Sequence, residues 1–408
     1  MENYNLTKLK NGLSVFTIRK PNFNTIDLTL YVKTGSAYEN KENNGISHLL
    51  EHLISVNRHK KQFYPFGLDF HAFTHKDYTH YEMTIAKEYI NEAIRTFGQI
   101  IGKPVFLTAT LKKIKTRIFE EIADDKDNPY DILYNAIDNR LYSNSSLKLP
   151  ILGIKKTIQE INLKEIKSWY VKYYQPDNMI LTIVGDVENK KTKKLAEKYL
   201  GINKDAVSIK NKTIQRKQVY PRQKEFEIQG SFERSYLTIV YPIDKLAYPS
   251  FLKHILLWYL LNQKFESITE NSNLFYNMNF DYSADSLRGG YYFSISCDEK
   301  NINKVKKEIF INLDNIRIGK NFFDKTKKYF INNLISKKDY LSDLSSLTLY
   351  MFNSPEKIVT VDNEITEVKK VTLSEIQKIR TKVFAKENYF SFILKQKKGK
   401  DFSFPLLQ

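Results

Sequence analysis

The feature that most restricts how this chain can fold is a repeat. Residues 161–166 (Ile-Asn-Leu-Lys-Glu-Ile) resemble residues 371–376 (Val-Thr-Leu-Ser-Glu-Ile), and Lys172, Asn178 and Ile183 match Lys382, Asn388 and Ile393 at the same offset of 210 positions. Both copies read as a helix followed by a buried strand. A pattern that recurs once in 408 residues predicts two similar domains in tandem. Length agrees, because about 150 residues is an ordinary domain size. The polar run 203–223 reads as the linker, which places an N-terminal domain at 1–202 and a C-terminal domain at 224–408.

Local patterns make both domains α+β. Asn11-Gly12 between two β-rich runs is a two-residue hairpin signal, and 25–33 reads as a third strand. Residues 60–68 read as a loop or short helix. Phe70-His71-Ala72-Phe73-Thr74 and the run 78–83 look like two paired strands within 69–86. Helical periodicity covers 88–102, 108–125, 130–142 and 162–174, and 178–184 is a buried strand.

The chemistry is concentrated in Gly45-Ile46-Ser47-His48-Leu49-Leu50-Glu51-His52-Leu53. On a helix, His48 and His52 lie one turn apart on the same face and can reach one divalent metal, at Zn–N distances of about 2 Å. Glu51 shares that side and can hold a metal-bound water, the order H-x-x-E-H of the inverted zincins. The alternative is an amphipathic helix with no metal, since short motifs recur by chance. A third ligand has to come from elsewhere. In 108–125, Leu111, Ile114, Ile118 and Ile122 form an apolar stripe. At about 100° per residue Glu121 falls roughly 60° from its centre, while Glu120 falls on the charged face. A carboxylate at the margin of a buried stripe needs a metal or a partner, so Glu121 is the better third ligand; an ordinary ion pair is the other reading. The C-terminal helix matching the motif helix, 251–265, offers only His254.

Composition narrows the classes. One cysteine, Cys297, excludes a disulfide framework and a cysteine-rich zinc site, and it fits a reducing, cytoplasmic setting. The first residues show no basic region followed by an apolar run, which reads as no signal peptide, and no apolar stretch reaches membrane-spanning length, which reads as no membrane insertion. The net charge of +18 favours an acidic partner. The lysines are spread along the chain without a nucleic-acid-binding signature, so an acidic peptide fits better than nucleic acid.

With these residues in view, the chain resembles the M16 zinc metallopeptidases, in particular their short bacterial, processing-peptidase-like branch. The resemblance rests on 32–39 leading into His48, on Phe119-Glu120-Glu121-Ile122, on 149–153 and on 178–187. It implies two homologous domains, each a mostly antiparallel sheet with packed helices, facing across a clam-like chamber. It implies one Zn2+ per chain held by His48, His52 and Glu121, with Glu51 as the catalytic base. It implies peptide substrate added as a strand along Phe70, His71, Ala72 and Phe73. Three positions depart from the family pattern: His71 stands where Asn is usual, Ile114 where a Glu often precedes the third ligand, and Ser272 where an Arg pairs with the tyrosine matched by Tyr276. Arg288 is the nearest arginine in sequence. The missing arginine implies a zinc-bearing subunit that works with a paralogous partner supplying an Arg/Tyr pair. A catalytically inactive, peptide-binding subunit is the second reading.

Overall fold

The Asn11-Gly12 turn closes a hairpin of β1 (Asn3–Lys8) and β2 (Ser14–Arg19), in which Lys8 faces Ser14. Its loop is longer than two residues. Leu9 N donates to Leu13 O at 2.8 Å, and Gly12, at φ +96°, takes the left-handed position that a three-residue hairpin loop requires. Leu9 and Leu13 are both buried in the core, and that burial lengthens the loop. The computed structural model describes residues 3–56, 69–200, 220–244, 247–270, 272–352 and 358–396. The stretch 60–68 and most of the expected linker, 203–219, lie outside them.

The chain forms two compact units. In the first, β3 (Thr25–Val32), β4 (Asp69–Thr74), β5 (Thr79–Ala86) and β6 (Met179–Gly185) join the hairpin in the order β1-β2-β6-β3-β5-β4. Only β2 with β6 is a parallel pair. The period of two along β3 sends Ile26, Leu28, Leu30 and Val32 into a core shared with the helices Ile46–Ser55, Ile90–Ile100 and Leu163–Tyr173.

The second unit contains β7 (Glu225–Gly230), β8 (Ser235–Ile243), β9 (Asn277–Ala284), β10 (Gly289–Cys297) and β11 (Phe390–Gln396), in the order β7-β11-β8-β10-β9. The pairing of β7 with β11 is parallel and the rest are antiparallel. Strand for strand this repeats the first sheet without β1. The helix Ser250–Thr269 stands between β8 and β9, as Ile46–Ser55 stands between β3 and β4.

The repeated residues have a local physical role. Asn162 and Glu165 form a capping box at the start of one helix, and Thr372 and Glu375 form the same box in the second copy. Asn178 Nδ2 donates to Tyr173 O at 2.7 Å and Asn388 Nδ2 to Lys382 O at 2.6 Å, so both asparagines close the helix before the strand begins.

The units are not the two contiguous halves read from the sequence. Unit one comprises Met1–Asp124, Ser143–Lys217 and Leu334–Asn363; unit two comprises Asp125–Tyr142, Gln218–Asn333 and Glu364–Gln408. Helix Pro129–Leu141 therefore packs on β8 and β11, and Leu341–Ser345 packs on β3 and β6. A sheet has two faces to cover, and each half of the chain sends one segment to cover the second face of the other sheet. Among the described residues, no helix is long and apolar enough to cross a membrane.

Candidate metal centre

The helix Ile46–Ser55 packs against β4, with Leu49, Leu50, Leu53 and Ile54 in the core. Four-residue spacing brings the imidazoles of His48 and His52 together, with their Nε2 atoms 3.0 Å apart and their rings edge to face. The helix Thr108–Asp127 buries Leu111, Ile114 and Ile118, and this anchoring turns Glu121 towards the histidines. Glu121 Oε2 lies 3.3 Å from His52 Nε2 and 3.6 Å from His48 Nε2. Its neighbour Glu120 is exposed.

These three ligand atoms fit a single zinc ion. Donors about 2 Å from one tetrahedral centre lie roughly 3.3 Å from one another, the middle of the observed separations. Among the described residues, this is the group of three whose ligand atoms converge. Burial lowers His48 to about 4, with His52 adding to the effect, which leaves its imidazole in the neutral form that binds a metal. For Glu121, burial alone would raise the carboxyl. The hydrogen bond and charge of His52, the charge of His48 and the hydrogen bond from Arg117 outweigh it, and the carboxyl sits below its ordinary value. Arg117 Nε donates to Glu121 Oε1 at 3.2 Å, an i,i+4 pair that leaves Oε2 to face the histidines.

Glu51 stands beside the three donors, with Oε2 3.9 Å from His48 Nε2. Thr74 Oγ1 donates to one carboxylate oxygen at 3.4 Å, and Ser55 Oγ lies 3.5 Å from the other. Burial raises Glu51 to about 7, with His52 pulling it down and Glu121 pushing it up.

A cleft of about 500 Å³ opens at the centre, lined by the motif side chains, by β4 and by Ile151 and Leu152. Among the described residues β4 is the last strand of the sheet, bonded to β5. Its residues alternate. Phe70 is buried, Ala72 packs half-buried against the core, and His71 and Phe73 are exposed on the opposite face. The cleft also takes in Arg117 and His75, which sequence reasoning had not placed there. The Arg117/Glu121 spacing carried a signal for one of them; nothing periodic marked His75.

Tyr276 belongs to the second unit and is exposed. Its hydroxyl donates to Asp298 at 3.0 Å, and the Arg234 guanidinium lies 3.9 Å over its ring. Ser272 bonds Glu308 at 3.2 Å. Arg288 is committed elsewhere, to Asp138 and Asp285 and over the ring of Tyr142. The arginine that accompanies Tyr276 is thus Arg234, 42 positions upstream; it directly precedes β8 as Tyr276 directly precedes β9, and both strands pair with the end of β10.

Comparison with known proteins decides the family. The profile described as insulinase, peptidase family M16, matches residues 14–155, and the profile described as the M16 inactive domain matches residues 160–330. The chain belongs to the M16 peptidase family. An uncharacterized zinc protease of Rickettsia felis is 34% identical over 204 residues, 48% of this chain and 50% of that protein. The beta subunit of the mitochondrial-processing peptidase of Saccharomyces cerevisiae is 30% identical over 203 residues, 48% of this chain and 44% of that protein. The chain therefore spans about half the length of the curated relatives it matches. A protease from Helicobacter pylori has the same fold, with a TM-score of 0.86 at 20% identity over 97% of this chain and 99% of that one. Within this M16 chain the histidine-rich motif falls in the first matched stretch, and the second begins after it.

Proposed function

We propose that this chain is a zinc-dependent endopeptidase in which His48, His52 and Glu121 hold the metal and Glu51 moves the proton. The observation that carries the reading is the convergence of three ligand atoms beside a separate buried carboxylate, at a cleft walled by β4. Zinc held there supplies a Lewis acid and lowers the pKa of a bound water towards about 7. Glu51 takes the water's proton during attack on the peptide carbonyl and returns it to the leaving amine. Burial raises this carboxyl above its ordinary range, which helps it hold the proton between the two transfers. Thr74 and Ser55 aim the carboxylate. β4 is the last strand of its sheet among the described residues and runs along the cleft, so short or unfolded peptides able to lie beside it as a strand are the substrates, with side chains meeting Phe70 and Ala72 on one face and His71 and Phe73 on the other.

The net charge of +18 favours acidic peptides, leader segments of precursors among them. With Ser272 bonded to Glu308, the reading includes a paralogous partner that supplies an Arg/Tyr pair to this zinc-bearing subunit. Tyr276, with Arg234 on its ring, is the surface of this chain assigned to gripping substrate. The single cysteine supports a cytoplasmic setting, which cell fractionation tests. The test of function is peptide cleavage by the purified chain, alone and with a co-purified second chain. Expected are chelator-sensitive cleavage restored by zinc, a rise on adding the partner, and faster cleavage of an acidic peptide than of a basic one of equal length. Full activity as a monomer removes the partner. Zinc bound without cleavage in either state supports the second reading, a peptide-binding subunit, which the replacement at Ser272 favours.

A further inference from the structure

We infer that Glu39 is a positioning residue for the metal centre: its buried carboxylate fixes the start of the motif helix and holds Asn44, which bonds the opposite wall of the cleft. The inference rests on the zinc reading given above, and its test separates the two. The motif helix begins at Ile46 with Gly45 as its cap, and Gly45 brings no capping side chain. No other residue fits there. Gly45 has φ +92°, and a Cβ on it would come within 2.5 Å of Ile158 Cδ1 and 2.8 Å of Gly153 Cα. The orphan N–H groups of the first turn therefore need an acceptor from elsewhere in the chain.

Glu39 supplies it. One carboxylate oxygen accepts from Gly45 N at 2.7 Å and from Asn44 Nδ2 at 2.9 Å, and the other accepts from Ser47 N at 2.9 Å. Ser47 immediately precedes His48, so holding its N–H sets how the helix is rotated about its axis and where both imidazoles point. An anion at this end of a helix is also favoured by the helix dipole. Burial pushes the Glu39 carboxyl above its ordinary value, while the bonds from Gly45, Ser47 and Asn44 pull it down.

The residues on either side of this carboxylate reach both walls of the cleft. Asn44 Nδ2 also donates to Pro150 O at 2.9 Å, next to the lining residues Ile151 and Leu152, and Asn44 O accepts from Thr157 Oγ1 at 2.7 Å. On the other side, Ser36 N donates to His75 O and Ala37 N to Lys76 O, which ties the segment leading into Glu39 to the turn after β4. The carboxylate thus bonds the helix start directly and the opposite wall through Asn44, while the backbone just before it bonds the turn after β4.

The experiment uses the full chain and the isosteric variant Glu39→Gln, with Glu42→Gln as a control that removes the same charge from an exposed place in the same loop. Zinc affinity is measured by competition with a chelating indicator, and amide exchange across 44–48 is measured on the metal-free chain. Expected for Glu39→Gln are zinc binding weakened about 10- to 100-fold and faster exchange at Gly45 and Ser47, with Glu42→Gln unchanged. Zinc affinity within twofold of the parent overturns the inference. A parent chain that binds no zinc overturns the metal reading instead, and the exchange result then decides whether Glu39 caps the helix. Should Glu39→Gln not fold, Glu39→Asp keeps both acceptors on a shorter arm; a graded loss of zinc affinity is expected, and unchanged affinity counts against the inference.

Discussion

Two helices stand at the same place in two sheets of the same topology, and each borders a cleft with the edge strand of its own sheet. The cleft of Ile46–Ser55 and β4 has about 500 Å³ and contains His48, Glu51, His52 and Glu121. That of Ser250–Thr269 and β9 has about 220 Å³ and is lined by Asn262, Phe265, Glu266, Glu270, Met278 and Phe280. The second has carboxylates but no imidazole. The one histidine of its helix, His254, is buried away from that cleft, with Nδ1 3.0 Å from the Tyr291 hydroxyl. The fold supplies a groove in both units. Chemistry enters where two imidazoles one turn apart meet a carboxylate from a second helix.

The covered sheet faces differ in the same way. Leu28 and Leu237 occupy equivalent places, facing Ile183 and Ile393, which makes Tyr236 the counterpart of Asp27. Tyr236 packs edge-on against Tyr130 of the incoming helix. Asp27 is buried beside Thr29 and Ser345, and burial raises it to about 6, against the hydrogen bonds of Thr29, Ser345 and Thr84. One face is closed by aromatic packing and the other by a carboxylate shut away from water.

The contrast between the clefts is broken most completely by removing an imidazole. His52→Ala should abolish zinc retention after dialysis and reduce peptidase activity to background, leaving the first cleft as inert as the second. Next, Glu51→Gln should keep the metal and lower kcat by about 10²- to 10⁴-fold in steady-state peptide cleavage; activity near that of the parent would remove Glu51 from its role. The contrast between the covered faces is tested at Asp27. Its folded-state value lies above the ordinary 3.8, so ionisation costs the folded state stability, and that stability is lost as pH rises from about 4 to about 6. Asp27→Asn should flatten this stretch of the pH profile and leave the chain about 3 kcal/mol more stable at pH 8 in denaturant titrations; a profile as steep as the parent's removes burial as the cause. The smallest effect belongs to Arg117, largely exposed, whose bond to Glu121 should contribute at most about 1 kcal/mol. Arg117→Ala should weaken zinc binding up to about fivefold by indicator competition, and an unchanged affinity means the pair does not help aim Glu121.

What the sequence made legible was local. His48, Glu51 and His52 share a helix face by spacing alone, the stripe through Leu111, Ile114 and Ile118 turned Glu121 rather than Glu120 inward, and the repeat was readable because it encodes two helix caps. What stayed hidden was set by distant partners. An amphipathic segment shows that it covers something, not which sheet, so the placing of Pro129–Leu141 on β8 and β11, and of Leu341–Ser345 on β3 and β6, lay beyond periodicity. Arg234 meets Tyr276 because the strands they precede both pair with the end of β10, a pairing that neither residue's sequence neighbourhood reveals. Glu39 acts from six positions before the helix cap through irregular backbone, where no spacing rule applies.

The most direct test of the central claim is the zinc content of the purified chain after loading and exhaustive dialysis, read beside Glu121→Gln. One zinc per parent chain and a substoichiometric amount in the variant is the predicted result. A parent chain that retains none, or a variant that retains as much as the parent, contradicts a metal centre built from His48, His52 and Glu121.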